Sequence, residues 1–201
     1  MAITSVKAVI NGQEYTLNYN STDGTYQATI NAPAKSSFKQ TGGYYNVAVT
    51  AKDNAGNSTT VDANDATFGS DLQLVVKEKV APTIANISIT SGATLVNNTP
   101  EITFEVTDND SGVKDATLKI DGAAVTGLTK TAIVDGFKYS YQPATALSDG
   151  NHTITVGAVD NDGNNASDVS VSFVVDTTPP VLNVSEPLND SYTNQTNINV
   201  V

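Results

Sequence analysis

The chain has 201 residues, room for two domains of about 100 residues each and the beginning of a third. With 21 acidic against 10 basic residues and a formal net charge of -11, its surface repels phosphates, which makes nucleic acid a poor partner. The lack of cysteine excludes a disulfide framework, a zinc–thiolate site and a thiol nucleophile, and no apolar run approaches the roughly 20 residues of a membrane span.

In chain order, Met1 to Ser5 has no basic region followed by an apolar stretch, so it does not read as a signal peptide. Val6 to Ile10 alternates and runs into Asn11-Gly12; Asp23-Gly24 marks a further turn. Val47 to Ala51 alternates into the turn Asp53-Asn54-Ala55-Gly56-Asn57. Strands are then expected around Ile87 and Ile89, and at Ile102, Phe104 and Val106, which alternate with Glu101, Thr103 and Glu105. Asp121-Gly122, Asp135-Gly136 and Asp149-Gly150 separate the next ones, with Phe137, Tyr139 and Tyr141 at strand spacing. Ile154, Val156 and Ala158, then Val171, Phe173 and Val175, complete the series. Each alternation puts its apolar residues on one face of a strand, and the Asn-Gly and Asp-Gly pairs tolerate the positive φ of tight hairpins. No apolar period of 3.6 stands out, so the fold class is all-β with essentially no helix.

The chain also repeats itself. Val47 to Asn57 matches Ile154 to Asn164, and Val6 to Gly12 matches Ala116 to Gly122. Ala81-Pro82-Thr83-Ile84 matches Pro179-Pro180-Val181-Leu182, where proline ends one strand and stiffens a short linker. These registers place a first unit at residues 1–79, a second at 80–178, and the start of a third at 179–201.

Val156 to Asn165, followed by Val174-Val175-Asp176-Thr177-Thr178-Pro179-Pro180, resembles the last hairpin and linker of bacterial immunoglobulin-like repeats. Val106 to Val113 resembles the turn after their second strand. The resemblance implies tandem immunoglobulin-like β-sandwich domains. At the N-terminus, Met1 to Gly12, then Tyr15, Leu17 and Tyr44-Tyr45, is similar to immunoglobulin-like proteins encoded among phage and prophage tail genes of Gram-positive anaerobes. That similarity implies a virion part, assembled in the cytoplasm without a signal peptide.

The repeat is asymmetric. In the second unit two strands precede the Asp108-Asn109-Asp110-Ser111-Gly112 turn, whereas the first unit is expected to lack its first two strands. The segment from Leu182 and Val184 to Ile198 and Val200 has the pattern of such a pair with no third strand after it. A missing strand leaves backbone groups unpaired and an apolar face uncovered. Three accounts are open: the tail of one chain completes the first unit of the next, giving head-to-tail self-association; the natural chain continues past Val201; or the open edge docks on another subunit.

Oxygen-rich turns make Asp108, Asp110, Asp160 and Asp162 candidate calcium ligands. The Asp160 turn departs from the helix–loop–helix pattern, since its glycine comes early and loop position twelve would be Val171 rather than Glu; satisfying hairpin geometry is the simpler use of these side chains. Calcium between units would stiffen a tandem array. His152, the single histidine, has no nucleophile in a motif context and aligns with Tyr45 in the repeat, so it fills an aromatic slot. No catalytic or organic-cofactor residues emerge. Tyr15, Tyr19 and Tyr44 are candidates for stacking sugars, whereas Tyr26, Tyr139 and Tyr141 suit core packing. Sequons such as Asn57, Asn109 and Asn165 fit a secreted surface protein as well as a chain rich in Asn, Ser and Thr.

The function expected is non-enzymatic: a structural and adhesive component of a phage tail, baseplate or related contractile particle. It would dock on other structural subunits and project its modules toward host-envelope polysaccharide or protein. The alternatives are a cell-surface adhesin or surface-layer stalk, and a carbohydrate-binding accessory of a larger enzyme.

Overall fold

The computed structural model describes residues 2–183; the strands expected around Ile198 and Val200 lie outside that range. The first strand set comprises β1 (Ile3–Ile10), β2 (Gln13–Asn20), β3 (Thr25–Gln27), β4 (Tyr45–Asp53), β5 (Ser58–Val61) and β6 (Gln73–Leu74). The second comprises β7 (Thr83–Ala85), β8 (Thr94–Leu95), β9 (Ile102–Thr107), β10 (Val113–Ile120), β11 (Ala123–Ala124), β12 (Thr129–Ile133), β13 (Gly136–Tyr141), β14 (Gly150–Asp160) and β15 (Val169–Val175). Among the described residues helix is limited to two 3-10 turns, Thr41–Gly43 and Gly69–Leu72. None of the helices in the described residues is long and apolar enough to cross a membrane.

β7 to β15 form two facing sheets, β11-β10-β14-β15-β8 and β12-β13-β9-β7, with β8 parallel to β15 and every other pair antiparallel. The alternation read from the sequence holds: Ile102, Phe104 and Val106 are fully buried, facing Leu118, Ile154, Val156, Phe173 and Val175. Burying one such side chain stabilises by about 1.5–3 kcal/mol, so this sandwich has the core of an independent domain. Tyr139 stacks on Phe104 with ring centroids 5.2 Å apart, as core packing requires.

One expected strand is displaced. Asn86 adopts φ +52°, which ends β7 at Ala85, so Ile87 and Ile89 lie in an irregular segment. That segment is held to β9 by the Ser88 amide donating to the Thr103 carbonyl, and Ile89 still packs inward. Two glycines are dictated by the fold. Gly12 follows Asn11 in the β1–β2 turn, both at positive φ, as a two-residue hairpin loop demands. At Gly136 a Cβ would lie 2.0 Å from the Val106 carbonyl oxygen, so only glycine lets β13 approach β9.

The first set is different: β3-β2-β1-β4-β5 is one sheet, with β6 paired to the start of β4. Its strands β1 and β4 match β10 and β14 of the sandwich by the repeat, but among the described residues it has no facing sheet equivalent to β12-β13-β9-β7. The continuous buried hydrophobic cluster lies entirely in the second set.

Candidate metal centre at the junction of the two strand sets

The repeated Asp-Asn-x-Gly-Asn turn has one job in both copies. Asp53 accepts hydrogen bonds from the Ala55 and Asn57 amides and from Asn57 Nδ2, closing the β4–β5 turn. Asp160 accepts from the Gly163 and Asn164 amides at 2.7 and 2.8 Å and from Asn164 Nδ2 at 2.7 Å. The environments differ. Asp53 is half-buried at a free end of the sheet, whereas Asp160 is fully buried because the linker from the first strand set runs across it.

That linker carries Glu78. Its carboxylate, with those of Asp108 and Asp160, forms a group whose nearest oxygens all lie within 4.8 Å of one another. Glu78 Oε1 accepts from Ser111 Oγ and Asn164 Nδ2, both at 3.2 Å, and Oε2 accepts from the Val80 amide. Asp108 Oδ1 accepts from the Asp110 and Gly112 amides, shaping the β9–β10 turn around the cluster. Among the described residues no lysine makes an ion pair with any of the three carboxylates. Burial, together with the neighbouring Asp160 charge, pushes the Glu78 carboxyl above its ordinary value. Burial alone would raise Asp160 as well, but the Asn164 side chain and the turn amides outweigh it and hold that carboxyl low. Three oxygen-donor groups that form no ion pair among the described residues can share a proton or hold a hard divalent ion such as calcium; the donor set offers no sulfur or imidazole for a softer metal.

Of the four candidate ligands read from the sequence, the fold brings Asp108 and Asp160 into this cluster. Asp110 and Asp162 are turned to backbone donors and brace the junction. Asp162 Oδ2 accepts from the Glu78 amide at 3.0 Å. Asp110 Oδ1 accepts from the Ser36 amide at 2.9 Å, and its Oδ2 lies 4.0 Å from Lys35 Nζ. Lys39 Nζ donates to the Asn109 carbonyl at 3.1 Å, a second bond from the first strand set to the β9–β10 turn. Glu78 escaped the sequence reading because it sits in no oxygen-rich turn. The available signal was its position four residues before Pro82, which Asp176 repeats before Pro180.

His152 is buried as its alignment with buried Tyr45 required, its ring centroid 5.6 Å from that of Phe173. Nδ1 bonds Asp121 Oδ2 at 2.7 Å and Nε2 bonds the Ser148 carbonyl at 2.8 Å, so both ring nitrogens are engaged within the domain. The sugar-stacking candidates do not form one row. Tyr19 is exposed and packs on Tyr26, Tyr15 lies among the apolar residues of β1, β2 and β4, and Tyr44 lines an open cleft of about 480 Å³ with Asn11, Gln40, Thr41 and Asn64.

The fold defines the class of protein as immunoglobulin-like, an architecture used chiefly by structural and adhesion-related modules. More particularly, residues 79–177, which hold the second strand set, match the sequence model of the family described as Bacterial Ig-like domain. No curated protein matches the chain. Similar solved structures include the fibronectin(III)-like modules of Clostridium thermocellum CbhA, at 20% identity over 86% of this chain and 78% of that one with a TM-score of 0.38. The SrpA adhesin of Streptococcus sanguinis is similar at 20% identity over 49% of this chain and 58% of that one, TM-score 0.34. Dimeric latent PorU of Porphyromonas gingivalis is similar at 17% identity over 88% of this chain and 20% of that one, TM-score 0.42.

Proposed function

We propose that the chain is a non-enzymatic structural and adhesive component of a phage tail, baseplate or related contractile particle. The first strand set docks on other structural subunits, and the immunoglobulin-like domain projects toward the host surface. The observation that carries this reading is the junction: the Ser36–Asp110, Lys39–Asn109 and Glu78–Asp162 bonds tie consecutive units together. A chain joined in this way transmits force and position along its length, as a stalk or spacer must. Support for the tail in particular comes from the N-terminal resemblance. Calcium bound by Glu78, Asp108 and Asp160 would offset most of the cluster's negative charge and stiffen the same junction.

Immunogold electron microscopy of lysates and intact cells tests this. Gold at one defined position on tail-like particles is the expected result. Gold spread over the cell wall, with particles bare, refutes it and leaves a cell-surface adhesin or stalk. One observation favours a second reading, carbohydrate binding: the cleft at Tyr44 pairs an aromatic ring with neutral amide and hydroxyl groups. Binding of host-envelope polysaccharide that is abolished by Tyr44→Ala would support it.

A further inference from the structure

In the second strand set, the inward residues of β10 and β14 are covered by β9 and β13; in the first set, their counterparts on β1 and β4 meet no second sheet among the described residues. Ala8 and Ile10 of β1, Tyr15 and Leu17 of β2, and Val47 and Val49 of β4 line an apolar groove of about 200 Å³. Four of these six remain only half-buried, and among the described residues none belongs to the continuous buried cluster. A sheet with one apolar face left in water lacks most of the burial that offsets chain entropy.

The missing cover is written elsewhere in the chain. Residues 82–107 supply β7, β8 and β9 to the second set, and residues 180–201 repeat their pattern: Pro180 for Pro82, Leu182 for Ile84, and Ile198 and Val200 for Ile102 and Phe104. The linker agrees independently. Glu78 lies four residues before Pro82, and Asp176 four before Pro180; Asp160 has its counterpart in Asp53. Asp176 is exposed, and Asp53 closes its turn with no linker across it among the described residues. If residues 180–201 cover the first strand set of another molecule, Asp176 arrives beside Asp53 as Glu78 arrives beside Asp160, re-creating two of the three junction carboxylates.

We infer that the apolar groove of the first strand set is the acceptor for residues 180–201 of a second copy of this chain. Copies then join head to tail by strand donation, each junction between molecules repeating the junction within one. The contact is heterologous, so it propagates: the groove of one copy is filled while its own tail fills the next.

The test uses the whole 201-residue chain in sedimentation velocity across a concentration series. Wild type is expected to form species in multiples of 20.9 kDa. A tail variant, Ile198→Asp with Val200→Asp, and a groove variant, Val49→Asp, should each remain monomeric. Mixed in equal amounts they should form a species of two chains and stop there, because each retains one working end. Wild type that stays monomeric throughout, a tail variant that assembles like wild type, or a mixture that stays monomeric would each overturn the inference. A second measurement covers misfolding of the groove variant. The protein has no cysteine, so Val49→Cys and Val200→Cys chains carry one thiol each. On mixing with a short bismaleimide they should give the mixed dimer in large excess over either self-dimer. Equal yields of all three would contradict a groove-to-tail contact.

Discussion

Asp160→Ala isolates what burial adds to a turn. The carboxylate is fully buried and accepts three short hydrogen bonds, two from backbone amides and one from the Asn164 side chain. Leaving a buried donor unpaired costs about 1–3 kcal/mol. Three donors, one of them on a side chain free to reorient, set the expected loss at about 3 kcal/mol. Relief of the Asp160–Glu78 repulsion offsets a fraction of it. At about 4–8 °C per kcal/mol for a domain of this size, the melting temperature of the immunoglobulin-like domain should fall by roughly 15 °C. Asp53→Ala is the internal control: it removes the same pattern of bonds at a more exposed turn, where water takes over the donors, and its effect should be much smaller. Calorimetry of the two variants side by side decides the matter. Equal shifts, or a fall of less than about 4 °C for Asp160→Ala, would refute the argument that the linker makes this turn structurally critical.

Three further predictions follow from the same geometry. Since the folded Glu78 carboxyl is raised above 4.5, its contribution to stability is present at low pH and is lost as pH rises through the folded value. Glu78→Gln should therefore leave stability unchanged in acid, raise it near pH 7 without calcium, and abolish any rise in melting temperature that calcium gives the wild type, all readable by differential scanning fluorimetry. His152 is raised above 6.5 by the Ser148 carbonyl and Asp121, so its stabilisation is full below pH 6.5 and lost as pH climbs through the raised value; an NMR titration should show the elevated midpoint, and Asp121→Asn should bring it down. The Tyr139 hydroxyl is buried with no hydrogen-bond partner among the described residues, so Tyr139→Phe should be neutral or stabilising by about 1 kcal/mol in urea denaturation.

The sandwich was legible in the sequence because its long strands β9, β14 and β15 each have one buried face. The period-2 runs at Ile102–Val106 and Val171–Val175 carry that information locally, and the Asn-Gly and Asp-Gly turns place the hairpins. Ile87 and Ile89 show where the logic weakens: their spacing is that of a strand, but the left-handed conformation of Asn86 breaks the ladder while leaving Ile89 buried. The junction was half legible. Asp108 and Asp160 stand out because they sit in turns whose chemistry is local, whereas Glu78 reaches their turns from a linker through contacts across 33 and 86 residues. Asp110 and Asp162, equally conspicuous in sequence, face backbone donors, since which way a turn carboxylate points depends on what packs beside it.

The central claim is that the junction bonds and carboxylates make consecutive units one mechanical element. Pulsed electron–electron resonance tests it most directly, with spin labels at the exposed positions Thr16 and Thr131, introduced as the only cysteines in the chain. The account predicts a narrow distance distribution in the wild-type background and a broad one when Glu78 and Asp110 are both changed to alanine. A distribution equally broad in the two proteins, or equally narrow, would contradict it.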